Sequence, residues 1–227
     1  AGDSSGTLTL SGIDDSVHEG DESLSVSSGG QLASATISDD EPAPSVQSLA
    51  FTAASVAETD GDIFLVITID RLSADESCQT INLTGTATAG VDYSMSDDDP
   101  LTAGIQACVE AGSLETDLAL SPLDDNIFEG DETIIASSGA GLVSVTLTDD
   151  DSAPVLTGLT IAPGSFSENG GIAVLTGSVS NTSTTDTCYT LSFDGAAILG
   201  SDYSSEDDAA GSAGVQLCVA AGDSSGS

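Results

Sequence analysis

Positive charge is almost absent from this chain. Its 227 residues include no lysine and a single arginine, Arg71, against 38 aspartates and glutamates, for a formal net charge of −37. Electrostatics alone exclude nucleic acid and anionic lipid surfaces as partners. One guanidinium and no ammonium also leave no clamp for a phosphate or an oxyanion. Tryptophan is missing and aromatics make up 4% of residues, so a core has to be built from Val, Ile, Leu and Ala. No apolar run approaches the ~20 residues of a membrane-spanning helix, and no membrane insertion is expected. The opening Ala1-Gly2-Asp3 has no signal-peptide pattern, which places any secretion signal outside these residues. The single histidine, His18, stands where its repeat partner has Phe128, and reads as packing in a hydrophobic slot. No Ser/His/Asp, Cys/His or paired-acid constellation points to catalysis, so an enzyme is not expected.

Acidity of this degree is common in disordered chains. Here it is offset by 39% hydrophobic residues and by runs such as Ile63-Phe64-Leu65-Val66-Ile67-Thr68-Ile69, which are long enough to bury a core. That run reads as a strand buried on both faces or nearly so. Val46 to Glu58 reads as a first edge strand, Cys78 to Thr84 alternates, and Gly85 to Pro100 is loop-rich. About seven short strands at regular spacing, with no helical period, predict an all-β fold of antiparallel, immunoglobulin-like sandwiches.

The negative charge is not spread evenly. Asp124-Asp125-Asn126-Ile127-Phe128-Glu129-Gly130-Asp131-Glu132 is dominated by carboxylates, and Asp14-Asp15-Ser16-Val17-His18-Glu19-Gly20-Asp21-Glu22 is a blurred copy. A strand-like run follows each, and then an acidic triplet, Asp149-Asp150-Asp151 or Asp39-Asp40-Glu41. Like charges gathered this closely need a counter-charge that the sequence does not contain. A hard divalent cation is the economical supplier, since calcium prefers six to eight oxygen ligands.

These copies belong to a longer repeat. A shift of 110 residues carries Cys78 and Cys108 onto Cys188 and Cys218, Glu58 onto Glu168, and Gly90-Val91-Asp92-Tyr93 onto Gly200-Ser201-Asp202-Tyr203. It also carries Asp14-Asp15 onto Asp124-Asp125 and Asp39-Asp40 onto Asp149-Asp150 without an insertion. The phase is unusual. Residues 45–151 form a complete module, residues 152–227 match its front part, and residues 1–44 match its tail. Ala1 to Gly6 reappear verbatim as Ala221 to Gly226, displaced by 220, which is one two-module period. Three arrangements follow: a window on a tandem array, donation of residues 1–44 to a neighbouring subunit, or their return onto residues 152–227 of the same chain. Copies of the chain itself, joined head to tail, are the expected partners. Contacts of that kind that do not close give filaments.

The cysteines come as one matched pair per module. Zinc would want closer spacing and four ligands. Disulfides Cys78–Cys108 and Cys188–Cys218 are the reading, which implies an oxidising, extracellular or cell-surface location; four buried free thiols are the alternative. Asn82-Leu83-Thr84 and Asn181-Thr182-Ser183 fit the N-glycosylation pattern, with Asn181 in the more polar stretch.

Taken together, Glu58, the Gly90-to-Tyr93 loop, the Asp124-to-Glu132 segment and the terminal Asp149-Asp150-Asp151 resemble the Calx-β family. These are calcium-binding sandwich repeats of sodium–calcium exchangers and many bacterial surface proteins. The resemblance covers the complete module and both halves. It implies calcium as the cofactor, held at one tip of the sandwich. The implied ligands are Glu58, Asp92, Asp124, Asp125, Glu129, Glu132, Asp149, Asp150 and Asp151. In the split module they are Glu168, Asp202, Asp14, Asp15, Glu19, Glu22, Asp39, Asp40 and Glu41. Asn126 and Ser16 stand where the family commonly has a third Asp, and Glu41 replaces the last one, which implies fewer ions, above all in the split module. The expected role is a calcium-stiffened repeat of an extracellular fibre or stalk. The spacer of a cell-surface adhesin and a calcium-sensing module are the other classes to separate from it.

Overall fold

The computed structural model describes residues 2, 5–97, 104–206 and 214–227. Among these there is no helix, and none therefore long and apolar enough to cross a membrane. In chain order the strands are β1 (Glu22–Ser28), β2 (Gln31–Ile37), β3 (Val46–Phe51), β4 (Ser55–Ala57), β5 (Ile63–Ile69), β6 (Ser77–Gly85), β7 (Tyr93–Met95), β8 (Ile105–Val109) and β9 (Glu115–Pro122). There follow β10 (Ile127–Phe128), β11 (Glu132–Ser138), β12 (Gly141–Thr148), β13 (Leu156–Ala162), β14 (Val174–Val179), β15 (Thr182–Ser183), β16 (Thr187–Thr190), β17 (Gln216–Val219) and β18 (Ser225–Gly226). They fall into two compact units. The first holds Ala1–Ala54, Gly61–Ser121 and Thr133–Val145; the second holds Ser55–Asp60, Pro122–Glu132 and Thr146–Ser227.

In the first unit one sheet runs β3-β5-β9-β7, and in the other β12, β11, β6 and β8 are successive neighbours. Their inner faces meet in a core of Leu65, Ile67 and Leu118 from one sheet and Ile81, Ala107 and Ala136 from the other, all fully buried. These are the aliphatic residues that the shortage of aromatics left available, and β-branched and leucine side chains suit the pleated surface. Strand β5 buries Leu65, Ile67 and Ile69 on alternate positions while Phe64 stays exposed. It is thus buried on one face, not two. The sheet is antiparallel, with one side on the core and one toward solvent, which is what lets a period of two appear. Cys78 and Cys108 are directly opposite on β6 and β8 and form a disulfide. The β1–β2 hairpin, paired from Glu22↔Ile37 to Ser28↔Gln31, is a two-stranded sheet with almost every residue exposed.

In the second unit Thr146, Leu147 and Thr148 at the end of β12 pair in parallel with Ser55, Val56 and Ala57 of β4. The expected single strand from Val46 to Glu58 is therefore two strands in two sheets. The break falls at residues 52–54, where Thr52 takes the Phe64 carbonyl with its N–H and caps the Phe64 N–H with its hydroxyl. The remaining strands form β10-β15, β13-β14-β18 and β16-β17, the last carrying the Cys188–Cys218 disulfide. All four cysteines are bonded in the pairs that the shift of 110 relates, and none is free.

Each disulfide closes a loop of 30 residues. Replacing Cys78 and Cys108 together by serine is expected to cost roughly 3–4 kcal/mol, read as a lower urea midpoint at unchanged slope.

Candidate metal centre

The acidic nonapeptide is a loop with a built conformation. In the second unit Asp125 Oδ1 accepts the Ile127 N–H at 2.7 Å, turning the chain into β10. Asp149 then holds the far side of the loop. Its Oδ2 accepts from Glu129 N–H at 2.8 Å and Gly130 N–H at 2.6 Å, and its Oδ1 from Asp151 N–H at 2.8 Å. Gly130 supplies a φ of +78° that brings two successive N–H groups onto one oxygen, a conformation an L side chain adopts only at a cost. The first unit repeats this in detail. Asp15 Oδ1 accepts from Val17 at 2.8 Å. Asp39 Oδ2 accepts from Glu19 at 2.9 Å and Gly20 at 2.7 Å, and its Oδ1 from Glu41 at 3.0 Å. Three backbone N–H groups converge on each of these aspartates, and those of Glu41 and Gly20 hold the Asp39 carboxyl far below the usual carboxylate range.

Around that clamp the remaining carboxylates collect. In the second unit Glu58, Asp124 and Asp150 each offer an oxygen within 4.8 Å of the others. Glu58 is buried just after β4, its N–H bonded to the Thr148 carbonyl. Burial pushes its carboxyl up to about 7, and the charges of Asp149, Glu129, Asp125 and Asp150 push in the same direction. Burial and the adjacent Asp149 and Asp150 also raise Asp151, whose Oδ2 is buried without a hydrogen-bond partner. In the first unit Asp14, Asp40 and Glu41 form the corresponding group, again with oxygens within 4.8 Å. The Asp39 side chain, burial and the charge of Asp40 raise Glu41.

Other expected ligands lie outside those two groups. Asp92, in the first unit, is buried and accepts the Thr88 N–H. Asp202 Oδ2, exposed in the second unit, accepts the Ile198 N–H at 2.8 Å. Glu168 is exposed in the turn after residue 167. Glu22 and Glu132 open β1 and β11, the former exposed and the latter half-buried. Of the glycosylation candidates, Asn82 is exposed on β6, while the Asn181 amide donates to the Ser152 carbonyl.

The donor set is oxygen only, it includes one buried carboxylate that resists ionising, and it leaves one buried oxygen without a donor. A hard divalent cation supplies both the missing charge and the missing partner. The residues present therefore fit calcium, with Glu58, Asp124, Asp150 and Asp151 to hold it in the second unit and Asp14, Asp40 and Glu41 in the first.

Each loop also reaches the module that follows. In the first unit His18 pairs in parallel with Ser73: its N–H donates to the Leu72 carbonyl at 3.0 Å, and its carbonyl accepts from Ala74 at 2.9 Å. In the second unit Ile127 and Phe128 pair in parallel with Thr182 and Ser183, and the Phe128 carbonyl accepts from Thr184 at 3.1 Å. The two sets differ by the repeat shift of 110 throughout. Ser73 and Ser183 are buried, and their carbonyls accept from Gly112 and Gly222 at 2.8 Å. The linker carbonyls are taken as well: that of buried Pro44 by Gln79 Nε2 at 3.3 Å, that of buried Pro154 by the Tyr189 hydroxyl at 2.7 Å.

Packing alone does not describe His18. Its Nδ1 lies 2.9 Å from Asp39 Oδ2 and 2.9 Å from the Glu41 carbonyl oxygen. The sequence reading missed these junction contacts. Serine, glutamine and tyrosine at repeat-related positions were the available signal, but nothing in their local pattern marks them as buried.

The sequence matches no protein-family profile and no curated protein. Solved structures similar to the chain include the apo-form Calx CBD1 domain, at 21% identity and a TM-score of 0.33, covering 45% of this chain and 96% of that one. CBD12 from CALX1.2 is similar at 16% identity and a TM-score of 0.34, covering 76% and 70%. The S-layer protein rSbsC(31-844) is similar at 15% and 0.29, covering 70% of this chain and 26% of its own. Likeness at this level assigns no ligand and no role.

Because Glu58 is raised from 4.5 to about 7, the folded, metal-free protein holds that proton more firmly than the unfolded chain does. The stability it contributes is complete below about pH 4.5 and is lost as pH rises through about 7. Without calcium, the melting temperature is expected to fall between about pH 5 and pH 8, and E58Q should flatten that fall. In titration calorimetry E58Q should also weaken calcium binding by about tenfold or more. A second substitution, G130A, is expected to cost about 1–2 kcal/mol through the clamp loop's backbone.

Proposed function

We propose that this chain is a repeat of a calcium-stiffened extracellular filament or stalk, with a structural and not an enzymatic role. The observation that carries this is the sameness of the two junctions. At each, one continuous set of hydrogen bonds ties an acidic loop, the linker behind it and a turn of the following module. A flexible tether would have left the linker carbonyls to water. Here Pro44 and Pro154 are buried, and proline removes a further backbone rotation.

The carboxylates sit at the same place. Asp150 and Asp151 lead directly into Ser152-Ala153-Pro154, and Asp40 and Glu41 into Pro42-Ala43-Pro44. Calcium held there neutralises the loop and the linker together, so it acts on the angle between successive modules as well as on the fold of one. Repulsion among the carboxylates would otherwise open that angle. The disulfides suit an oxidising compartment, outside the cell. The recurrence of residues 1–6 as 221–226, one two-module period on, suits a fibre built from copies of one unit better than a sensor.

Chelation is the direct test. Removing calcium is expected to lower the melting temperature by about ten degrees or more, as a site filled well above its dissociation constant requires. Scattering should report a less extended particle, and negative-stain images of chelated material should lose straight filaments. A melt and a shape indifferent to calcium would remove the metal from the account.

A further inference from the structure

The two half-modules are each unfinished, and in complementary ways. The complete module provides the standard. Leu118 and Leu120 in β9, Ala136 in β11, Leu147 in β12 and Val56 in β4 are at most 3% exposed. Their repeat counterparts are Leu8 at 88%, Leu10 at 62%, Val26 at 55%, Ile37 at 47% and Phe166 at 50%. Four of these lie in residues 1–44 and one in residues 152–227. Each half therefore exposes positions that the complete module covers with strands found in the other half.

The backbone shows the same gap. Strand β6 runs from Ser77 to Gly85, and its second half is paired with β11: Asn82↔Ser137, Leu83↔Ala136, Thr84↔Ile135 and Gly85↔Ile134. The counterpart, β16, stops at Thr190. Leu191 still donates its N–H to the Val215 carbonyl at 2.9 Å, but Ser192, Phe193 and Asp194 pair with no strand among the described residues. Gly85 explains how closely the partner comes. A Cβ there would lie 2.0 Å from the Thr133 carbonyl oxygen, which accepts the Thr86 and Ala87 N–H groups. Gly195 keeps the same kind of backbone, with φ at +130° against +137°, but nothing lies within 4 Å of its Cβ position. It is a cradle shaped for a carbonyl that residues 152–227 do not supply.

We infer that residues 7–41 of one copy of this chain complete the sandwich begun by residues 152–227 of a second copy. The register is that of the complete module. Leu24 lies opposite Gly195, Val26 opposite Phe193 and Ser27 opposite Ser192. The Ser23 carbonyl enters the Gly195 cradle and accepts from Ala196 and Ala197. Ile37 pairs in parallel with Phe166, as Leu147 does with Val56. Thr7 to Leu10 continue the strand that β18 begins, since Ser225 and Gly226 already pair with β14 in the register of Glu115 and Thr116 with β5. The verbatim identity of residues 1–6 and 221–226 lets either copy's stretch fill the start of that strand. Apolar area exposed on both halves is then removed from water, which drives the association. It also brings Glu168 to Asp14 and Asp40, the counterparts of Glu58, Asp124 and Asp150. The inference deepens the filament reading and rests on it for the head-to-tail direction.

The test uses two full-length single variants, S27C and S192C, mixed and oxidised mildly with the native disulfides intact. A disulfide-linked heterodimer is expected on non-reducing gels, about tenfold or more above a mixture of A33C with S192C, because only the first pair is held at high effective concentration. Ala33 lies on β2, out of reach of residue 192 in this register. The S27C/S192C double variant should give a ladder of linked oligomers. A linked monomer from the double variant with no heterodimer from the mixture would show closure within one chain and overturn the inference. Absence of any specific product would overturn it too. Calcium separates this from the filament reading. A heterodimer with a melt indifferent to chelation leaves the inference standing and removes the metal; a calcium-dependent melt with no heterodimer does the reverse.

Discussion

Carboxylate repulsion with almost no positive charge to relieve it is the constraint under which this protein folds. The chain meets it first with its own backbone. Asp39 and Asp149 each draw three N–H groups from a loop and its following linker, so the most crowded charge in each cluster is also the best solvated by the protein. Backbone dipoles run out after that. Glu58 and Asp151 are left with burial and neighbouring anions, and both resist ionising. The same cluster thus contains one carboxylate held by three backbone donors and two, Glu58 and Asp151, whose ionisation burial opposes. An oxygen-binding cation would supply the counter-charge that Glu58 and Asp151 lack.

The junction follows from where those groups lie in sequence. A clamp aspartate two residues before the linker fixes the direction in which the chain leaves the module. The linker prolines restrict that direction further, and their carbonyls are bonded to β6 or β16 of the next module. His18 shows that the two junctions are not identical in chemistry: imidazole reaches Asp39 where the other module has a phenyl ring at position 128. The backbone path is nevertheless conserved between them, which places its cause in the clamp and the parallel pairing and not in that side chain.

Much of this was legible in the sequence because the repeat has no insertions. The shift of 110 paired the cysteines, aligned the acidic loops and marked the linkers before any strand was located. A continuous apolar run identified β5 as a strand, and alternation identified β6. It could not show that Val46 to Glu58 changes sheets at residues 52–54, since a strand that switches partners keeps the composition of a continuous one. Nor could composition separate Asp149 from Asp150. One accepts three N–H groups and the other faces Glu58 and Asp124, a difference set by a one-residue step in a loop. The buried serines at 73 and 183 were invisible for a related reason: a small polar residue in a turn gives no periodic signal.

The chain also carries its own comparison of a strand with and without its neighbour. Residues 77–85 and 187–195 occupy equivalent places, each begins with a disulfide to an antiparallel neighbour, β8 or β17, and each ends at a glycine with positive φ. Only the first extends to that glycine. The cross-link is common to both, so it is not what forms the second half of the strand; in residues 82–85 that half is paired with β11. Glu58 and Glu168 differ in the same way. The first is buried beside β12, which β4 joins in parallel, and the second stands exposed with no such strand along residues 165–167. Burial of that glutamate, and with it the rise in its affinity for protons or for a cation, therefore depends on the strand that also closes the core.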